Sequence, residues 1–185
     1  VVLSADHGEM LGSHGHMGKN VWYEESIHIP LYIRQKGRLV PVKYKELVAS
    51  PDHMPTILGL LNIPVPDTCQ GFNHAPGILG QENDAPQDAF LCSYPGMPEM
   101  VAAFEKQGLN SKCYGWRGLR THTYTFVINN GYKPGEKQVK MLYNNEKDPY
   151  QQNPIMITEL NEELAADYEK RLREYLDMQQ DPFLM

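Results

Sequence analysis

The sequence predicts an α/β fold in two parts: the carboxyl-terminal part of a large mixed-sheet domain, then a small antiparallel sheet of about four strands packed with a carboxyl-terminal helix. The chain opens on Val1-Val2-Leu3 and continues into polar residues, as a buried strand does where it ends in a loop. Residues 89–143 hold runs of β-branched and aromatic side chains, which are typical of strands. From Thr158 onward, apolar residues recur at helical spacing.

The first part of the chain predicts a second strand and two helical segments after the opening strand. A short helix or turn is expected over residues 21–26, a strand over 29–34, and a surface hairpin or loop over 35–45. Ser50 and Pro51 indicate a helix start at which the serine caps free N–H groups. The helix is expected to face the core with Met54, Ile57, Leu58 and Leu61.

A segment rich in proline and glycine, residues 63–88, separates the two parts. This composition favours a long connection that contains one short turn of helix. We therefore predict that residues 1–80 form the end of the α/β domain and that residues 81–185 form a small α+β subdomain.

The second part predicts an antiparallel sheet covered by one helix. Strands are expected over residues 89–94, 114–121, 123–129 and 138–143, with one or two helical turns or a substrate-facing loop over 95–112. The helix should run from Thr158 to about Met178 and pack on the sheet with Leu160, Leu164, Tyr168, Leu172, Tyr175 and Leu176.

Three residues of the predicted sheet, Trp116, Arg117 and Arg120, are candidates for a binding site. A structural role is favoured, because arginines on a half-buried sheet usually pair with acids or cover apolar surface with their stems.

Composition and charge exclude several classes of partner. The 185 residues carry a net charge of −6, and the 17 basic residues form no run, so nucleic acid is not an expected partner. No apolar stretch reaches the length of about 20 residues that a membrane-spanning helix needs. The odd number of cysteines, Cys69, Cys92 and Cys113, does not indicate a disulfide framework.

The loop after the opening strand concentrates groups that bind metal ions and anions. Asp6 offers a carboxylate and His7 an imidazole, and in a loop two neighbouring side chains can converge on one divalent ion. Lys19 closes the loop with an ammonium group, and His14 is either a substrate-facing donor or a loop-stabilising residue. The simpler alternative is a solvated turn with a hydrogen-bonded histidine, which leaves Lys19 unexplained.

Several short motifs occur in one order along nearly the whole chain. The first are Asp6-His7-Gly8-Glu9, Leu11-Gly12-Ser13-His14-Gly15, Gly18-Lys19, Tyr23-Glu24-Glu25-Ser26 and Ile29-Pro30-Leu31. The later ones are Asp52-His53-Met54-Pro55-Thr56-Ile57-Leu58, Gly118-Leu119-Arg120-Thr121 with Tyr124, Leu142-Tyr143-Asn144, Asp148-Pro149 and Asn153. This ordered series resembles the second half of the sulfatase family, within the alkaline phosphatase superfamily.

The resemblance implies the carboxyl-terminal portion of a metal-dependent sulfuric ester hydrolase. Sulfatases carry a Cys/Ser-x-Pro-x-Arg motif near the amino terminus, and its first residue is oxidised to formylglycine, the nucleophile. None of the cysteines fits: the stretch from Cys92 to Gly96 has its proline one place late and no arginine. We therefore expect the formylglycine and the remaining metal ligands in a part of the protein outside these residues, and we expect this fragment alone to be inactive.

The resemblance also assigns roles within the loop after the opening strand. Asp6 and His7 are the implied metal ligands, and Lys19 is the implied sulfate-contacting residue. Calcium is the expected ion, but the imidazole of His7 stands where many sulfatases carry Asn. Mg is the other ion that oxygen-dominated ligand sets favour. The imidazole shifts the preference towards Mn or Zn, which leaves open a relative that cleaves phosphonate or phosphate esters with a transition metal.

The expected partner is a sulfate ester, such as a sulfated sugar, and a periplasmic or secreted location is implied by the resemblance alone. A rival from another class is a non-catalytic module that binds anions. Self-association of the fragment is also expected, because an exposed strand edge can pair with a second copy.

Overall fold

The computed structural model describes residues 1–157 and 162–184. Its strands are β1 (Val2–Ser4), β2 (Leu31–Ile33), β3 (Ala89–Ser93), β4 (Gly115–Arg120), β5 (Tyr124–Gly131) and β6 (Val139–Asn144). Its α-helices are α1 (Glu24–Ile27), α2 (His53–Leu60), α3 (Ala75–Ile78), α4 (Pro98–Glu105) and α5 (Glu162–Met178). Short 3-10 turns lie at Ser13–Gly15, Ser50–Asp52, Ser111–Cys113 and Pro182–Leu184.

The predicted antiparallel sheet is confirmed, with strand order β3-β4-β5-β6 and every neighbouring pair antiparallel. Cross-strand pairs such as Leu119 with Phe126, and Phe126 with Leu142, place apolar side chains on one face. Helix α5 covers this face and ends at Met178 as predicted, whereas the predicted start at Thr158 and the predicted contact of Leu160 lie outside the described residues.

The main hydrophobic core lies between this face of the sheet and α5. Its buried members are Leu119, Phe126, Ile128, Leu142, Ala165, Tyr168, Leu172, Leu176 and Phe183. Leu164 and Tyr175, which the helical spacing also predicted, are partly buried against it. The apolar residues of α5, which recur about every 3.6 residues, therefore pack against the apolar residues of the strands, which recur every two.

The opposite face of the sheet is covered as well, by residues 20–25 that follow β1. Trp22 packs edge-on against Trp116, with ring centroids 5.8 Å apart, and its indole N–H donates to the Tyr143 hydroxyl at 3.3 Å. Because alternate residues of a strand point to opposite faces, covering both faces leaves four consecutive residues of β5, Thr125 to Ile128, buried.

The opening strand exists, but the prediction that it is buried was wrong. β1 pairs antiparallel with β2, and among the described residues this sheet has only these two strands. Val1 is 89% exposed and Leu3 is 60% exposed. With one neighbouring strand, the pair lacks the covering layers that would bury a strand on both faces.

Helix α2 is confirmed, but its predicted core face was wrong in part: Ile57 and Leu58 are half-buried. Met54 and Leu61 are exposed, whereas Pro55, Thr56 and Leu60 are buried. Buried polar groups set this orientation, because the Thr56 hydroxyl accepts a hydrogen bond from the His74 N–H at 3.0 Å.

The capping role expected of Ser50 belongs to Asp52. Its carboxylate accepts from the Ala49 N–H at 2.8 Å and from the Phe72 N–H at 2.7 Å. The Asp52 side chain therefore joins the start of the helical segment to Phe72, which lies 20 residues further along the chain.

The connecting segment and the stretch after β3 follow the prediction. Residues 63–88 contain one short helix, α3, and residues 95–112 contain α4.

Among the residues that the structure describes, no helix is both long enough and apolar enough to span a bilayer.

Arg117 is the most deeply buried charged residue in the sheet, at 1% exposure. Its guanidinium binds the Asp181 carboxylate through Nε and Nη2 at 2.7 and 3.2 Å, and it donates to the carbonyls of Ser93, Trp116 and Lys112 at 3.0–3.2 Å. These contacts confirm the structural role that the sequence favours for this arginine.

We expect Arg117→Met to lower the free energy of unfolding by about 3–5 kcal/mol, because it leaves the Asp181 carboxylate and several carbonyls without their donor. Urea denaturation measures the loss. Arg173→Met is the matched control: the Arg173 side chain is half exposed and Glu169 keeps its pair with Lys140, so the loss should stay below about 1 kcal/mol. Equal losses in the two variants would contradict the role assigned to Arg117.

Candidate functional site

The site loop, residues 5–23, leaves β1 and folds back on itself before α1. Backbone hydrogen bonds join Gly8 N–H to the Ser26 carbonyl at 2.8 Å and Met10 N–H to the Gly18 carbonyl at 2.9 Å. The backbones approach so closely that a Cβ on Gly8 would lie 1.9 Å from the Glu25 carbonyl oxygen. Only glycine fits this position, so the loop closes directly after Asp6 and His7.

Asp6 and His7 converge as the sequence predicts. The His7 Nε2 atom lies 3.3 Å from Asp6 Oδ2, and the two side chains are 34% and 86% exposed, so both are accessible to a ligand. The other ring nitrogen, Nδ1, lies 2.7 Å from the Gly8 carbonyl oxygen. A carbonyl oxygen only accepts, so Nδ1 carries the hydrogen of this bond.

This tautomer fits a metal ligand. With Nδ1–H donated to a backbone carbonyl, the neutral ring directs the lone pair of Nε2 towards the Asp6 carboxylate. Two lone pairs repel, so the contact becomes favourable when a proton or a cation lies between Nε2 and Oδ2. Within the described ranges no group of three or more His, Cys, Asp or Glu side chains could hold a metal ion, so Asp6 and His7 form a pair without a third such ligand.

Lys19 lies near the end of the site loop with its side chain exposed. Its own carbonyl accepts a hydrogen bond from the Ser26 hydroxyl. Within residues 1–157 and 162–184 its ammonium forms no ion pair, so the structure does not bring it into contact with Asp6. The ammonium therefore remains available to an anion.

His14 takes part in contacts that stabilise the loop. Its ring stacks on Tyr23, with centroids 3.7 Å apart and an interplanar angle of 7°, and its Nε2 lies 3.8 Å from Glu25 Oε1. The backbone at His14 is left-handed, with φ of 52°, a conformation that costs energy for a residue with a side chain. These contacts support the loop-stabilising alternative.

His14 also borders an open cavity of about 350 Å³, whose walls are Ser13, His14, Glu25, Tyr150 and Gln152. The Ser13 hydroxyl donates to Glu25 Oε1 at 2.5 Å, so two of the residues that line this cavity are joined by a hydrogen bond. Because His14 lines this cavity, its substrate-facing role stays a prediction.

Helix α1, which directly follows the site loop, is fastened to the four-stranded sheet by Glu24. The Arg120 guanidinium binds this carboxylate through Nε and Nη2 at 3.0 and 3.1 Å, and His28 Nδ1 lies 2.9 Å from it. The Glu24 N–H donates to Gln151 Oε1 at 2.7 Å. Arg120 therefore has the structural role that the sequence favours, and its partner lies 96 residues away.

A family model described as N-sulphoglucosamine sulphohydrolase, C-terminal, matches residues 12–179. The chain belongs to the sulfatase family. An ulvan-active sulfatase of Formosa agariphila is 30% identical to it over 96% of the chain and 33% of the relative. The sulfatase chain thus spans about a third of the length of this curated relative.

Solved structures agree with this membership. A Bacteroides thetaiotaomicron structure described under the metabolism of multiple glycosaminoglycans aligns with a TM-score of 0.82 and 29% identity, over 99% of this chain and 38% of the other. A phosphonate monoester hydrolase from Silicibacter pomeroyi aligns with a TM-score of 0.73 and 25% identity, over 99% and 35%. The sulfatase fold described above is therefore shared with a phosphonate hydrolase.

Sequence reasoning did not find two contributors to the site region, Glu25 and Tyr132. Glu25 was visible only as a second acidic residue in a motif, and its role depends on the loop folding back onto Ser13. Tyr132 lies between the predicted strands 123–129 and 138–143, yet its hydroxyl donates to the Asn20 carbonyl at 3.1 Å. No local pattern signals a contact across 112 residues.

The ion pair between Glu24 and Arg120, which holds α1 on the sheet, is sensitive to acid. Burial alone would raise its pKa, but hydrogen bonds from His28 and Arg120 outweigh this and lower the pKa to about 2 from the ordinary value of 4.5. A depressed pKa stabilises the fold above the ordinary value, and this stabilisation is lost as pH falls from 4.5 towards 2.

We expect Glu24→Gln to remove about 3 kcal/mol of this acid-dependent stability and to flatten the stability profile between pH 4.5 and 2. Chemical denaturation at a series of pH values measures it. Glu105→Gln, at an exposed carboxylate of α4, should leave the slope unchanged. An unchanged slope in Glu24→Gln would show that the ion pair does not link protonation to folding.

Proposed function

We propose that this sulfatase chain is the carboxyl-terminal part of a metal-dependent sulfuric ester hydrolase. In this proposal Asp6 and His7 supply two metal ligands, and the Lys19 ammonium binds the non-bridging sulfate oxygens. The observation that carries the proposal is the contact between Asp6 and His7, in which Nε2 faces a carboxylate oxygen at 3.3 Å and Nδ1–H is held by a carbonyl.

The chemistry of sulfate ester cleavage requires groups of this kind. Negative charge on the transferring group must be held while the ester oxygen leaves, and fixed positive charge provides most of that stabilisation. Lys19 offers a full charge with three donors on a flexible stem. In this proposal His14, which borders the cavity beside Glu25, donates to a substrate group.

Asp6 and His7 would hold a divalent ion, which when bound polarises the ester and stabilises charge. Calcium is expected from the family, Mg is the alternative that oxygen ligands favour, and the imidazole donor favours Mn. The remaining ligands and the formylglycine nucleophile would come from residues outside this chain. The substrate class we propose is a sulfated sugar, which the glycosaminoglycan description of the B. thetaiotaomicron structure supports.

A second candidate is hydrolysis of phosphonate or phosphate monoesters. Two observations favour it: His7 replaces the Asn of many sulfatases, and the fold aligns with a phosphonate monoester hydrolase at 25% identity. A non-catalytic anion-binding module is less favoured, because it would not need a carboxylate and an imidazole that converge at a strand end.

We expect Asp6→Ala in the complete enzyme to lower metal content and activity together, each by more than about 10-fold, because the substitution removes a ligand. Elemental analysis of the purified enzyme and steady-state rates measure the two effects. Asp67→Ala, at an exposed carboxylate distant in sequence, is the control and should change neither. Full activity without bound metal would remove Asp6 from the site.

We expect the isolated chain to hydrolyse neither an aryl sulfate nor a phosphonate monoester, since it carries no nucleophile motif. The complete enzyme should cleave the aryl sulfate with the higher kcat/KM, and assays of both substrates with both proteins test this. Turnover by the isolated chain would overturn the missing-nucleophile interpretation. A higher kcat/KM for the phosphonate would establish the second candidate instead.

A further inference from the structure

The backbone around Lys19 is held at three consecutive carbonyl groups. The Gly18 carbonyl accepts from the Met10 N–H at 2.9 Å, and the Lys19 carbonyl accepts from the Ser26 hydroxyl. Both of these donors belong to the site loop or to α1, close in sequence. The third carbonyl, that of Asn20, is held by a distant part of the chain.

Two donors, one in β4 and one directly after β5, meet at the Asn20 carbonyl. The Trp116 indole N–H donates at 3.0 Å and the Tyr132 hydroxyl at 3.1 Å, across 96 and 112 residues of sequence. The carbonyl only accepts, so the tyrosine hydrogen points to it, and the Ser93 hydroxyl at 2.7 Å then donates to the tyrosine oxygen. Each hydrogen bond in such a chain polarises the next.

Burial keeps the Trp116 indole in place and keeps the Tyr132 hydroxyl protonated. Trp116 is only 3% exposed, and Trp22 packs edge-on against its ring at 5.8 Å. Burial raises the pKa of Tyr132, so its hydroxyl keeps its proton and stays a donor through neutral and mildly alkaline pH.

The Lys19 side chain is not restrained in this way. It is exposed, and the described part of the chain offers its ammonium no hydrogen-bond or ion-pair partner. A lysine carries its charge on a flexible four-carbon stem, so the position of its backbone sets the region that the ammonium can reach. Three fixed carbonyls in succession therefore determine where this charge can be presented.

We propose that Trp116 and Tyr132 are positioning residues for Lys19, acting through the carbonyl of Asn20. The small sheet would then serve the reaction as well as the fold, because it sets the placement of a charge in the site loop. This inference rests on the proposed role of Lys19 as an anion-binding group.

A double-mutant cycle in the complete enzyme tests the coupling. Tyr132→Phe removes one hydroxyl and keeps the ring, and we expect it to lower kcat for an aryl sulfate about 10-fold, because small misplacements of a charged group are costly. In a Lys19→Ala background the same substitution should have no further effect on kcat. Trp116→Phe is a second variant and should show the same dependence on Lys19.

Tyr175→Phe is the matched control. It removes a hydroxyl that binds Asp88 at 2.7 Å on the α5 side of the sheet, so it should leave kcat unchanged. Thermal unfolding of each variant sets an assay temperature at which all are folded.

The possible failures are distinguishable. A loss of kcat in Tyr132→Phe that persists in the Lys19→Ala background would show that the tyrosine does not act through Lys19, and no loss in either variant would refute the positioning role. If Lys19→Ala alone leaves the rate unchanged, the proposed function of Lys19 fails, and this inference fails with it.

Discussion

The structure depends on the contact between the site loop and the face of the four-stranded sheet opposite α5. The Arg120 guanidinium holds the Glu24 carboxylate at 3.0 Å, and Trp22 packs against Trp116. Without this contact one face of the sheet would be exposed and the loop would lose its distant hydrogen bonds. The boundary predicted at residue 80 therefore separates two stretches of sequence, whereas in space the loop before it lies on the sheet after it.

Much of the fold follows from periodicity, and the errors have physical causes. The strands from β3 to β6 and helix α5 were predictable because their apolar residues recur at fixed spacing and meet in one core. The orientation of α2 was not, because the buried Asp52 and Thr56 satisfy distant backbone N–H groups and so set which face turns inward. Hydropathy patterns rank such polar residues as exposed.

The candidate site likewise contains one contact that the sequence could predict and others that it could not. The pairing of Asp6 with His7 could be predicted, since adjacent residues in a loop need only a local turn, which Gly8 permits through its close approach to the Glu25 backbone. The contacts of Asn20 with Trp116 and Tyr132 could not, because they join residues about 100 positions apart. The loop carries the candidate chemical groups, and the sheet determines how they are held.

In the function that we propose, Asp6, His7 and Lys19 act together on one anionic ester. Crystals of the complete enzyme soaked in inorganic sulfate test it most directly. We expect a sulfate ion within hydrogen-bond distance of Lys19 Nζ, next to a metal ion bound by Asp6 and His7. A metal ion held without either residue, or a sulfate bound away from a solvent-exposed Lys19, would contradict it.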